Sequence, residues 1–402
     1  MARRIAIFVA LMILPLVAGA KRMSIPVDGR DTLDYKYTPI TITPVQSQSS
    51  PRGFARYIYE MAIDRSFEQK IDFSVVPTIY YTPSTSVGLA LAAVGLYRLD
   101  RQTRNIPPSR LSIYANVSIT GHYRVGVTSE NIFRENRNRL DCRVDVGALP
   151  TRFWGIGYDA AVSNVSTSYI ANNYRIGLRY VHRFFKSLYV GSAASFDYVD
   201  SRKVKPEMEH LLDGRNPSIV ATTLSLLAEY DSRDSKVSAR RGIYLALRGD
   251  VRPEPLGNAH STSYGASLTL DMFQPLWRDA VLAVDLYGEY NDGSTPWQLY
   301  PTLGGASRMR GYYEGRFLDR NAVMVQAEVR QRLWKQFGVV AWGGAANLFS
   351  NSFVWKNTLP SYGLGVRFEL NPMVVVRLDY GFGSRLSGGL VHGLVFSLGE
   401  AF

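Results

Sequence analysis

The chain has 402 residues, 46% of them apolar, with 25 Tyr, 18 Phe, 34 Gly and one Cys, so it is long enough for two soluble domains or one large barrel and holds no internal disulfide. Its net charge of +12 is carried without a basic helix or an aromatic-interleaved basic patch, which argues against nucleic acid as a partner. The five histidines, at 122, 182, 210, 260 and 392, show no metal-ligand spacing, and no Gly-x-Ser-x-Gly elbow occurs, so neither an enzyme nor a metal or cofactor is expected.

At the N-terminus, Arg3 and Arg4 precede an apolar run from Ile5 to Val17, and Ala18-Gly19-Ala20 supplies small residues for cleavage. Residues 1 to 20 are therefore expected to be a secretory signal peptide, with the mature chain beginning near Lys21. No later apolar stretch approaches the ~20 residues of a spanning helix. Residues 21 to 70 form a short periplasmic segment, rich in Pro, Ser, Gln and Thr in "YTPITITPVQSQSSP". It ends in one amphipathic helix candidate, "RGFARYIYEMAIDRSF", with Phe54, Tyr57, Ile58 and Met61 on one side. That helix would plug the lumen, lie at the periplasmic mouth, or merely tether the chain.

From residue 71 onward the sequence alternates with period two. Tyr174, Ile176, Leu178 and Tyr180 oppose Arg175, Gly177 and Arg179; Tyr362, Leu364, Val366 and Phe368 oppose Gly363, Gly365, Arg367 and Glu369. Val374, Val376, Leu378 and Tyr380 oppose Arg377 and Asp379, and Leu394, Phe396, Leu398 and Phe402 oppose Val395, Ser397, Gly399 and Ala401. A soluble sandwich also alternates, but with shorter strands that put charge outside. An apolar face ending in aromatics against a charged one, repeated in long runs after a signal peptide, points to lipid outside and a polar lumen.

Strands are expected near 71 to 81, 86 to 98, 109 to 119, 122 to 133, 138 to 148, 172 to 183, 187 to 199 and 218 to 230. The second half gives 242 to 252, 263 to 274, 278 to 290, 321 to 333, 336 to 347, 360 to 370, 373 to 381 and 391 to 402. The fold is thus all-β, a sixteen-stranded antiparallel transmembrane β-barrel over residues 71 to 402, and the even count fits a bacterial barrel. With both termini periplasmic, the long connections 149 to 171, 200 to 217 and 291 to 320 face outward and the short turns face the periplasm.

Three blocks then carry a resemblance: "YDSRDSKVSARRGIYLALRG" (230 to 249), "GGASRMRGYYEGRFLDRNAVMVQAEVRQRLW" (304 to 334) and "YGLGVRF…VVVRLDYGFG…HGLVFSLGEAF" (362 to 402). With the weaker "LPTRFWGIGYD" (149 to 159), they resemble the BamA/TamA-like bacterial surface-antigen barrels of the outer membrane. The resemblance implies that the outward loop with Gly304, Gly305, Arg310, Gly311 and Tyr312 folds back into the lumen, where Arg310 meets inward acids. By parity Glu328, Glu369, Asp379, Asp285 and Glu289 point inward. Glu328 stands where the family places the acidic partner, and Asp379 is the next candidate. The family's Asp-x-Gly-Asn on strand thirteen is replaced here by "WGGAANLF", with Gly344 in place of the Asp, so a thinner lumenal network and a less firmly held loop are expected.

Members of that superfamily insert or translocate proteins through the outer membrane, and residues 21 to 70 are too few for their periplasmic POTRA domains, so the likeness is to the subgroup lacking them. The implied function is assistance in insertion, assembly or translocation of other outer-membrane proteins through a weak lateral seam. Its partners would be outer-membrane lipid, unfolded or partly folded outer-membrane proteins, and periplasmic or outer-membrane accessory proteins. A closed docking barrel within a larger complex is the alternative. Pro77, in "SVVPTIYY", lacks a backbone donor, and Gly399 permits a bend, so both mark the seam between the first and last strands. Phe402 resembles the terminal sorting signal of such barrels.

Overall fold

Alternation produces strands whose apolar faces can be covered only by lipid, and closure into a ring leaves no free edge in hydrocarbon. A computed structural model describes residues 66–67, 70–82, 84–103, 106–201, 210–212, 214–236, 238–334, 336–371 and 374–402. The expected signal peptide and Phe54, Tyr57, Ile58 and Met61 of the amphipathic helix candidate lie outside these. Among the described residues no helix is long and apolar enough to cross a membrane; the strands do so instead.

The first eight are β1 (Asp72–Thr82), β2 (Ser86–Tyr97), β3 (Ser109–Ser118), β4 (Tyr123–Ile132), β5 (Asn138–Phe153), β6 (Thr167–Arg183), β7 (Leu188–Asp200) and β8 (Ser218–Asp231). The rest are β9 (Gly242–Arg252), β10 (Ser263–Pro275), β11 (Ala280–Asn291), β12 (Asn321–Trp334), β13 (Phe337–Phe349), β14 (Leu359–Asn371), β15 (Val374–Leu386) and β16 (Gly389–Leu398). Every strand pairs antiparallel with its sequence neighbours, and β1 meets β16 to close the barrel. Lipid-facing positions such as Leu178, Leu226, Leu364 and Val366 are exposed, whereas Asp145, Asp197, Asp285, Glu328 and Asp379 are buried on the inner face. Parity places them so, because a charge on the lipid side costs a few kcal/mol near the midplane.

Four strand ends differ clearly from the expected ones. β5 and β6 continue past the membrane as a hairpin, from Leu149 opposite Ala171 to Phe153 opposite Thr167, and a short helix, α1 (Tyr158–Ser163), sits in their connection. The alternation signal fades there because Phe153 packs against the outer loops instead of lipid. β15 runs on to Leu386 across a bulge between Phe382 and Arg385, where the alternation breaks without ending the strand. β16 stops at Leu398 instead of reaching residue 402.

The outer mouth is capped. Leu303, Met309, Tyr312 and Phe317 from the β11–β12 connection pack with Ala161 of α1 and with Met324, Ala346, Leu348 and Leu359 of the wall. A second cluster joins Phe153, Leu212, Trp297 and Leu318. At the other end, Arg98 donates to Ser66 Oγ (2.9 Å) and the Ile106 carbonyl (2.8 Å) and lies over the Phe67 ring, which pins the chain just before β1.

Candidate functional site

Residues 292 to 320 leave β11 at the outer face, turn back and descend along the inner wall. Two glycines make the descent possible. Gly304 has φ +99° and a Cβ there would stand 2.7 Å from the Tyr312 carbonyl; Gly311 has φ +105° and a Cβ would stand 2.8 Å from the Gly381 backbone. Neither the left-handed conformation nor the contact tolerates a side chain. Gly305, also left-handed, precedes the turn that carries Arg310.

Arg310 is fully buried. Its Nη2 donates to Glu328 Oε2 at 2.7 Å and its Nη1 to Asp379 Oδ2 at 2.8 Å, so the two sequence-predicted acids from β12 and β15 share one guanidinium. The guanidinium carbon lies 3.8 Å above the Trp342 ring, a cation–π contact that gains strength where water is excluded. Ser361 Oγ donates to the Arg310 carbonyl at 2.8 Å. Next to it, Tyr312 donates its phenol to the Pro360 carbonyl (2.7 Å) and accepts the Ser384 N–H (2.7 Å). Burial raises the phenol's pKa, against the opposing effect of the Ser384 bonds.

The floor beneath this segment is glycine. A Cβ at Gly381 would lie 2.5 Å from the Arg310 carbonyl oxygen, and one at Gly383 would lie 2.4 Å from the Tyr312 ring. Sequence reasoning passed over these residues, together with Trp342 and Ser361. A usable signal was present, since inward positions 363, 365, 381 and 383 on adjacent strands are all glycine.

A second ion pair supports the first. Arg308 forks onto Asp285 with bonds of 2.8 and 2.9 Å, and Gln326 Nε2 donates to the same carboxylate at 3.0 Å and to the Ser307 carbonyl at 3.2 Å. The expected weakness at Gly344 is thus not a loose loop: Gln326 fills the neighbouring space, where a Gly344 Cβ would meet it at 2.7 Å. Of the other inward acids, Glu369 pairs with Arg332, and Glu289 accepts from Tyr287 and from Asn291.

The last residues correct the sequence expectation for Phe402. Gly399 takes φ +83° and donates its N–H to the Val375 carbonyl at 2.7 Å, so the chain leaves the wall and enters the lumen. Phe402 packs in a tilted contact with Phe273 near Ala239, Val281 and Ala283, on the opposite face from the lipid-facing Phe396. Four residues of alternating pattern do not reveal where a strand stops; the left-handed glycine decides it. The tail is tied to the loop by shared arginines. Arg367 donates to Asp379 at 2.5 Å and to Glu400 at 2.8 Å, and Arg330 donates to Glu328 at 2.6 Å and to the Phe402 carbonyl at 3.0 Å.

At the seam, Tyr81 opposite Phe396 is the one register pair between β1 and β16 among the described residues. On its other edge β1 is aligned with β2 from Asp72 opposite Leu96 to Thr82 opposite Ser86. Continuing the Tyr81 register toward the periplasm sets Ile79 against Leu398, where β16 ends. Pro77, exposed on the outer face, falls opposite Glu400, which has already turned inward.

Comparison with known proteins fits this architecture. The Omp85 superfamily domain matches residues 108–402. Among solved structures, BamA from Haemophilus ducreyi lacking POTRA domains 1-3 aligns with TM-score 0.57 and 12% identity, over 81% of this chain and 70% of that one. CdiB from Escherichia coli aligns with TM-score 0.58 and 12% identity, over 86% and 69%. CdiB from Acinetobacter baumannii gives 0.52 and 13%, over 82% of this chain and 60% of its own. No curated protein matches. With a clamped lumenal loop inside sixteen strands and a family match across most of its length, this chain belongs to the Omp85 superfamily, as a β-barrel of the bacterial outer membrane.

Proposed function

We propose that this barrel assists the insertion, assembly or translocation of other outer-membrane proteins by parting at the β1–β16 seam. The observation that carries the reading is that, among the described residues, Tyr81–Phe396 is the one register pair at the seam, where every other neighbouring pair of strands is joined by a long ladder. Each backbone hydrogen bond in lipid has no water to replace it, so opening a full ladder costs several kcal/mol per exposed group. A short seam costs far less to open, and the edges it frees are templates for an incoming strand. An unfolded or partly folded outer-membrane protein supplies such strands, and periplasmic or outer-membrane accessory proteins would deliver it.

The test locks the seam. Cys142 is the sole native thiol, so Cys142→Ser with Tyr81→Cys and Phe396→Cys places one bridge at the observed register. In proteoliposomes the reduced variant should speed the folding of a small barrel client, read as its heat-modifiable gel shift. Oxidation should abolish the gain and reductant should restore it. Full activity from the completely oxidised barrel would remove lateral opening and favour a closed docking barrel.

A further inference from the structure

We infer that the periplasmic turns on the wall away from the seam form a binding rim for the head groups of anionic phospholipids in the inner leaflet. The β6–β7 turn carries Phe184-Phe185-Lys186 and the β10–β11 turn carries Leu276-Trp277-Arg278. Each sets two apolar residues directly before a cation. The order recurs in sequence as Leu333-Trp334-Lys335 at the end of β12, with Lys335 outside the described residues, and in shorter form as Phe133-Arg134 after β4. Phe185 is 71% exposed, Trp277 60% and Trp334 61%. Aromatic rings so placed suit head-group depth, and the following cation stands one residue farther along the turn.

These cations exceed the acids beside them. Asp279 is shared between Arg278 at 3.7 Å and Arg240 at 3.6 Å, with the Arg278 side chain 97% exposed. Glu135 is likewise shared between Arg137 at 2.9 Å and Arg134 at 4.0 Å. Lys186 has no ion-pair partner among the described residues. A zwitterionic head group would leave this excess uncompensated, whereas a phosphatidylglycerol-type head group supplies the missing charge. The two turns that flank the seam, 98–108 and 372–373, contain no aromatic residue. The pairing of an aromatic with a following cation is therefore found on turns of the wall from β4 to β13, whereas the turn after β2 carries Arg98, Arg101 and Arg104 without an aromatic residue.

The full-length barrel in nanodiscs of equal phosphatidylcholine and phosphatidylglycerol provides the test, with retained lipid identified by native mass spectrometry. Phosphatidylglycerol should be enriched on the native protein, and Arg134→Gln/Lys186→Gln/Arg278→Gln should lower that enrichment by about fivefold or more, since each basic residue near an anionic surface contributes roughly that factor. Heat-modifiability checks that the variant is folded. Should it fail to fold, raising the salt to about 1 M on the native protein, where the screening length falls to about 3 Å, must collapse the enrichment. No enrichment on the native protein, or enrichment indifferent to salt and to the three substitutions, overturns the proposal and leaves an acidic protein as the rim's remaining partner.

Discussion

A guanidinium facing hydrocarbon costs a few kcal/mol or more, so a loop arginine between membrane strands has to find acids on the inner wall. Arg310 finds two, Glu328 at 2.7 Å and Asp379 at 2.8 Å. Arg310→Ala should lose roughly 3 kcal/mol, the low end for breaking a buried pair, because Glu328 keeps Arg330 and Asp379 keeps Arg367. Unfolding in urea would measure this, and limited proteolysis should cut the loop of 292 to 320 while the barrel remains heat-modifiable. Since Arg310 and Glu328 act as a pair, Arg310→Ala and Glu328→Ala should be non-additive in a double-mutant cycle; full additivity would mean that the contact contributes nothing. Arg310→Lys should rescue only part of the loss, because an ammonium has neither the fork nor the flat face that meets Trp342 at 3.8 Å.

At the scale of single elements, β15 serves as both wall and floor. Its inward Gly381 lets the Arg310 carbonyl approach to where a Cβ would be only 2.5 Å away, and its Asp379, two residues earlier, holds the Arg310 side chain. Gly381→Ala should therefore displace the loop without breaking the strand, at an overpacking cost of about 1 to 3 kcal/mol. The expected outcome is a protease-sensitive loop on a folded barrel. Unchanged protection would show that the loop can shift off the floor and keep its ion pairs.

Across the whole molecule, the outer cap, the lumenal loop and the inward tail share one network, since Arg330 and Arg367 each hold one acid of the loop clamp and one group of the tail. Whatever withdraws the tail from the lumen must therefore break bonds that also steady Glu328 and Asp379. Arg367→Ala should loosen both parts at once: a Phe402→Cys thiol, in the Cys142→Ser background, should become open to a periplasmic reagent, and the loop should become cleavable. Glu400→Ala should free the thiol and leave the loop largely protected. If Arg367→Ala exposes neither, the tail and the loop are independent.

Much of this was legible in the sequence because side-chain direction along a strand depends only on parity. The sixteen strands, their lipid and lumenal faces, the outward position of 292 to 320 and the inward aim of Glu328, Asp379 and Asp285 all follow from that local rule. What parity leaves open is distance across the barrel. That Arg310 takes Glu328 and Asp379 together while Arg308 takes Asp285, that Trp342 lies beneath the guanidinium, and that glycines on β15 clear the loop's path depend on the register between strands far apart in the chain. The last residues show the same limit. Their alternation continues to Phe402, yet Gly399 turns left-handed and sends the tail into the lumen, because the end of a strand depends on the partner strand it meets, and β16 meets β1 only through closure of the ring.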